Sequence, residues 1–238
     1  MNLIYLPKNP SIDIATTAWY ASILNGVPET DIRTVPATWT GKEMSSSDMC
    51  IGLNVEEKEI DGLSIKYGLN KNDRMDSCFT TYLKHLEINI ETSPFNSLST
   101  YLSLTLTGRG PWPNTKNSSF NPHLVDISYI FEALKGRITN IGKDSDTDVD
   151  SELLNIWFEI MDSYLYKQRS SIRAQEIANG IQIELVGDVS IACVESEGDI
   201  SAQSISKSLF NKDVDVIVYK EGTHVGVIRS RKVQSPDL

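Results

Sequence analysis

Apolar residues follow two rhythms along this chain. "LIYL" (3–6) is a short apolar run of strand type, and helix signals follow it at once. Ser11 or Asp13 can cap the helix, while Ile14, Ala18, Ala21 and Ile23 to Leu24 form a core-facing stripe that Gly26 and Pro28 end. "DIRTVPA" (31–37), "DMCIGLNV" (48–55) and "KEIDGLSI" (58–65) read as further strands, the second apolar at its centre as a buried strand is. The middle is more helical. "DSCFTTYLKHLEIN" (76–89) has Asp76 or Ser77 as cap, and Phe79, Tyr82, Leu83 and Leu86 recur at spacings of three and four. "SPFNSLSTYLSLTL" (93–106) begins with Ser93 as cap and Pro94 in the first turn. "GRGPWPNTKNSSFNP" (108–122) reads as a loop, and "HLVDISYIFEALKG" (123–136) as a helix closed by Gly136.

The acidic run "DSDTDVDSE" (144–152) precedes the longest helix, expected over roughly 151–179. Trp157, Ile160, Met161, Tyr164, Gln168 and Ile172 lie on one stripe of it. Period-two patterning then takes over in "IQIELV" (181–186), "VSIACVE" (189–195), "VDVIVYK" (214–220) and "HVGVIRS" (224–230), with a short helix at "SAQSISKSLF" (201–210). Gly187-Asp188 between the first two of these predicts a tight hairpin. The fold class is α/β: a parallel-sheet N-terminal domain over 1–150, a helical connector over 151–180, and a smaller mixed α/β domain over 181–238.

Composition narrows the function classes. A net charge of -10 disfavours a duplex nucleic-acid surface, which needs clustered Lys and Arg, but leaves room for a small anion in a local basic pocket. No apolar run approaches the ~20 residues of a membrane span, and no basic-then-apolar leader opens the chain. A soluble, cytoplasmic protein is expected. Cys50, Cys78 and Cys193 form no CxxC pair and, lying in or beside apolar segments, read as buried reduced thiols.

Three stretches together resemble the DHH phosphoesterases. "NPSIDIATTAWY" (9–20) is similar to that family's first motif, in which N-P-D-x-D follows a strand and opens a helix. "SSDMCIGLN" (46–54) sits where the family has a strand ending in D-x-G. "VDVIVYKEGTHVGVIRSRK" (214–232) is similar to the strand pair of the small DHHA1 domain, where Arg-Ser ends a strand facing the catalytic cleft. The resemblance implies an α/β metal-binding domain, a helical connector and a mixed α/β domain. It also implies Mn2+ or Mg2+ held by Asp and His side chains, and a phosphate ester as substrate. Carried over to this chain, Asp13 and Asp61 are the metal ligands, and His224, Arg229, Ser230 and Arg231 hold the phosphate.

The motifs are incomplete. Ser11 stands at the first Asp of the first motif, and Cys50 at the Asp of the second. "Ile60-Asp61-Gly62" lacks both histidines, and the Gly-Gly-Gly-His phosphate loop is missing. Two carboxylates do not offset the four positive charges of a two-metal site. Asp48 and Asp73 are possible recruits that nothing in the sequence positions. The readings are a diverged enzyme acting on a small phosphorylated ligand or short nucleotide, and a catalytically inactive relative kept as a binding or regulatory module. Oligomeric state stays open. Asp13 also admits a plain role at a helix N-terminus, Asp61 a turn role, and the basic strand end a solvated edge. The alternating Asp144, Asp146 and Asp148 do not make an EF-hand, which needs Gly at 149 and Glu at 155 where the chain has Val149 and Asn155.

Overall fold

The computed structural model describes residues 2–55, 60–69, 75–106, 127–142, 148–196, 198 and 200–229. They form a mixed α/β protein in two compact units, Met1–Asp162 and Ser163–Leu238.

In the first unit, β1 (Ile4–Pro7), β2 (Ile32–Val35), β3 (Met49–Ile51) and β4 (Leu63–Ile65) make a parallel sheet in the order β2-β1-β3-β4. Ile4, Tyr5 and Leu6 are all buried, as a strand covered on both faces requires. Tyr5 and Cys50 sit in a cluster with Val35, Met44, Leu53 and Val55, and Trp39 stacks on Tyr5 at 4.6 Å. A loop, rather than a helix, supplies Met44 and Trp39 to that cluster.

The helix α1 (Ile12–Asn25) is capped by Ser11, whose side chain accepts from the Ile14 N–H, and ends at Gly26 in the left-handed conformation. Every residue from Ile12 to Ser22 is buried. The expected stripe therefore does not describe it: Ile23 and Leu24 emerge half-exposed, because burial here follows depth along the helix and not one face. Its buried hydroxyls find local acceptors, Thr16 on the Ile12 carbonyl and Thr17 on the Asp13 carbonyl, both at 2.7 Å. Beside it lies α2 (Cys78–His85), capped by Ser77, after a small hairpin of β5 (Gly68–Leu69) and β6 (Met75–Asp76) that the period-two pattern did not predict. Tyr20, Phe79, Tyr82 and Phe95 meet edge to face between these helices, with centroids 4.6 to 6.3 Å apart.

Next come α3 (Asn96–Leu106), α4 (Ile127–Gly142) and α5 (Val149–Gly180). The first of these starts later than expected, because Ser93 closes a short 3-10 turn and its hydroxyl accepts from the Phe95 N–H. Gly136 does not end α4. The helix runs on to bury Ile138, an anchor that offsets the ~1 kcal/mol a mid-helix glycine costs. Asp148 caps α5, accepting from the Asp150 N–H and the Ser151 hydroxyl. The loop predicted over 108–122 and the residues Asp144 and Asp146 lie outside the described residues.

The second unit contains the end of α5, then β7 (Ile183–Val186), β8 (Val189–Glu195), α6 (Ala202–Phe210), β9 (Val216–Glu221) and β10 (His224–Arg229). The sheet order is β10-β9-β8-β7. The β8 and β9 strands are parallel and joined by α6, while the flanking pairs are hairpins. Gly187, at φ 64°, makes the predicted two-residue turn with Asp188. One face of this sheet packs on Ala174 and Ala178 of α5 and on Ile205 and Leu209 of α6.

Candidate functional site

The order β2-β1-β3-β4 reverses direction at β1. The chain leaves β1 through α1 to reach β2 on one side, while β3 lies on the other. A crevice at the carboxyl ends of parallel strands at such a reversal is the usual ligand position of open α/β sheets. Residues 8–11 leave β1 at that end and lead into α1. Asn9 is left-handed there, at φ 61°, a conformation uncommon for any residue but glycine. Its N–H donates to the Asp150 carboxylate at 3.1 and 3.2 Å. Gly52 follows β3 at φ 69°, and a Cβ there would sit 2.7 Å from Ile14 Cγ1.

Asp13 enters this region from the first turn of α1, but its carboxylate serves another helix. Oδ2 accepts from the Cys78 N–H at 2.8 Å and Oδ1 from the Phe79 N–H at 3.1 Å. These are the free amides at the start of α2, where the macrodipole favours negative charge. The group is 1% exposed. Burial pushes its carboxyl from 3.8 up to about 6, and the two amide bonds only partly oppose this. Around it stand Ser77, Cys78, Ser11 and Tyr67. Burial, and then the neighbouring Asp13, hold the Cys78 thiol well above its ordinary range. Burial also raises the Tyr67 phenol to about 12, with Cys78 adding to the rise and the Ser11 hydroxyl opposing it.

The other candidate residues fall elsewhere. Asp61 is exposed and precedes β4, whose Leu63 pairs with Met49, which pairs in turn with Ile4 at the start of β1. In a parallel sheet this places Asp61 at the amino end of the strands and Asp13 at the carboxyl end, so the two carboxylates are not brought together. Cys50 is fully buried in the cluster around Tyr5, and Cys78 is buried too, but Cys193 is exposed, because alternation along β8 turns it away from the core that takes Ala192 and Val194. Asp48 is spent on loop geometry, accepting from the N–H groups of Leu3 and Ser45. His224 and Arg229 are both exposed on the edge strand β10, five residues apart and so on opposite faces of the sheet. Ser230, Arg231 and Asp73 lie outside the described residues.

Among the described residues, no three His, Cys, Asp or Glu side chains converge. With both oxygens of Asp13 committed to amides, and hydroxyls and a thiol as its neighbours, this donor set does not fit a pair of hard divalent ions.

A second concavity lies within the C-terminal unit. A cavity of about 380 Å³ opens between α5 and α6. Lys167, Ser170 and Ser171 line it from α5, with Ser204 and Lys207 from α6. No Asp or Glu lines it among the described residues. Ser201 caps α6, so the positive end of that helix also meets the cavity. No motif in the sequence singles out Lys167 or Lys207. The available signal was the recurrence of Lys and Ser three and four residues apart on both helices.

No protein-family model matches the chain, and no curated protein matches its sequence. No helix among the described residues is long and apolar enough to cross a membrane.

Proposed function

We propose that this chain is a cytoplasmic binding module of DHH-like build. It holds a small phosphorylated ligand or short nucleotide in the α5–α6 cavity and does not hydrolyse it by a two-metal route. The observation that carries this reading is a charge contrast. In a chain of net charge -10, one cavity is lined by two lysines and five serines and by no described carboxylate. Ammonium groups and hydroxyls are the donors a phosphate dianion needs, and the volume falls in the range of small-ligand sites. The succession of a parallel sheet, a 32-residue helix and a small mixed sheet agrees with the layout the DHH resemblance implies. The use of Asp13 as a helix cap favours the binding reading over the enzymatic one.

The test is calorimetric titration with pyrophosphate, ATP and a dinucleotide, with phosphate release followed in parallel in the presence of Mn2+. Saturable binding without release is expected. Lys167→Glu with Lys207→Glu should weaken it at least tenfold, while Asp13→Asn leaves it unchanged. Manganese-dependent phosphate release that Asp13→Ala abolishes would reinstate a live hydrolase. Failure of all three probes to bind would remove the cavity reading.

A further inference from the structure

We infer that the open face of the second unit's sheet is a self-association surface, on which two copies pack face to face about a two-fold axis parallel to the strands. The opposite face is covered at its centre by α5 and α6, with Ala192, Val194 and Ile217 pointing into that core. Alternation therefore turns their neighbours outward. The outward valines of β10 are bare, Val225 at 70% and Val227 at 60% exposed, while Val216 and Val218 of β9 are half-buried. A contiguous exposed apolar face of this kind marks an interaction site.

The strand register identifies the partner. One row across the sheet reads Glu184, Ile191, Val216, Arg229 from β7 to β10. The next outward row is apolar, with Cys193 paired to Val218 and Val218 to Val227. The third carries Glu195 beside Lys220, joined within one copy at 2.7 Å. Acidic groups thus occupy the β7–β8 half and basic groups the β9–β10 half. A two-fold along the strands keeps each row opposite itself while exchanging β7 with β10 and β8 with β9. Glu184 of one copy then faces Arg229 of the other, Glu195 faces Lys220, and both pairings occur twice. Ile191 meets Val216 and Cys193 meets Val218 between them. The other in-plane two-fold, across the strands, sets Arg229 over Val225 and Lys220 over Val216, burying charge against valine. The surface is complementary to itself in one orientation, as an isologous dimer requires.

Four strands at about 4.8 Å spacing and about six residues at 3.3 Å each give roughly 400 Å² of flat sheet per copy. Over two copies that is about 800 Å², below the standard specific interface and in the range of transient contacts, so the dimer is a weak, reversible one.

Sedimentation equilibrium of the full chain tests the inference. The 26.5 kDa monomer should give way to a dimer as concentration rises. Arg229→Glu alone and Glu184→Arg alone should each weaken association at least tenfold. An equimolar mixture of the two single variants should restore it to within about threefold, because the heterodimer recovers both pairs. This arm also shows that the variants are folded. A bismaleimide of about 10 Å reach should link the associating forms through Cys193, the exposed one of three thiols. A monomer at every concentration would overturn the inference and leave the face to another protein. Association that ignores both charge reversals, or single variants that do not complement on mixing, would overturn it too.

Discussion

Replacing Asp13 with Asn should cost roughly 1 kcal/mol more in mildly acidic than in neutral solution. The carboxyl is moved from 3.8 to about 6 by folding. At about 1.4 kcal/mol per pH unit, its ionisation costs the folded state about 3 kcal/mol at neutral pH. The sign is opposite to that of a salt-bridged aspartate. The stability is fully present below about pH 4, where both states are protonated, and is lost as pH rises through about 6. Linkage over these two values gives a loss of roughly 1 kcal/mol between about pH 5.2 and 7.5. The lower limit stays above the sequence pI of about 4.8, where the chain keeps a negative charge. Asparagine carries no charge, but its one oxygen cannot serve both the Cys78 and Phe79 amides. One donor is left unpaired at a cost of about 1–3 kcal/mol. At about pH 7.5 the gain and the loss nearly cancel, and the variant should lie within about 2 kcal/mol of the wild type. At about pH 5.2 the wild type should pull ahead by roughly 1 kcal/mol more.

Urea unfolding of both proteins at the two pH values measures the difference, and other titrating groups drop out of the comparison. A gap that does not change with pH would refute a raised Asp13. A gap that widens toward high pH would mean that the helix amides outweigh burial and depress the group. Asp13→Ala strips both amides and leaves a void, so it should cost about 1–3 kcal/mol more than Asp13→Asn at each pH and show the same roughly 1 kcal/mol change between them.

Two further expectations rest on backbone and burial. Gly26→Ala and Gly52→Ala both place a Cβ at positive φ, yet nothing lies within 4 Å of the first while Ile14 blocks the second. The first should cost about 1 kcal/mol and the second about 2–4 kcal/mol by thermal or urea unfolding, and equal costs would contradict the Ile14 contact. In dilute native solution an aromatic disulfide reagent should titrate Cys193 alone, because Cys50 and Cys78 are fully buried and burial raises both thiols. More than one fast-reacting thiol would show that one of the buried pair is accessible.

Much of the architecture could be read from periodicity. The strand runs at 3–6 and 181–195, the Gly187-Asp188 turn and the long helix all follow local rules that the rest of the fold does not override. Departures came where tertiary burial decided. The α1 helix is enclosed on all sides, so hydrophobic spacing could not report its exposed end at Ile23 and Leu24. Gly136 reads locally as a stop, but the apolar residues beyond it carry α4 onward. The stretch "NPSIDIATTAWY" leaves β1 and opens α1, as its Asn-Pro and Ser-x-x residues indicate. The partner of Asp13 was not legible, because backbone amides at 78 and 79 leave no side-chain signature. Asp61 shows the limit of counting along a motif. Its place at the amino end of β4 depends on where the strand starts, and a short strand next to Asp-Gly does not reveal that.

The reach from Asp13 to α2 also orders events as the chain folds. An eight-residue helix is too short to persist alone in water. Two of its first amides gain acceptors only when a side chain 65 residues upstream arrives. The nucleus therefore cannot contain α2 unless α1 is already docked, and forming this cap means closing a long loop before any reward is received. In rate terms, changes at residue 13 should slow refolding only if that loop closes in the transition state. Otherwise they should speed unfolding, so Asp13 reports whether this half of the molecule assembles early or late.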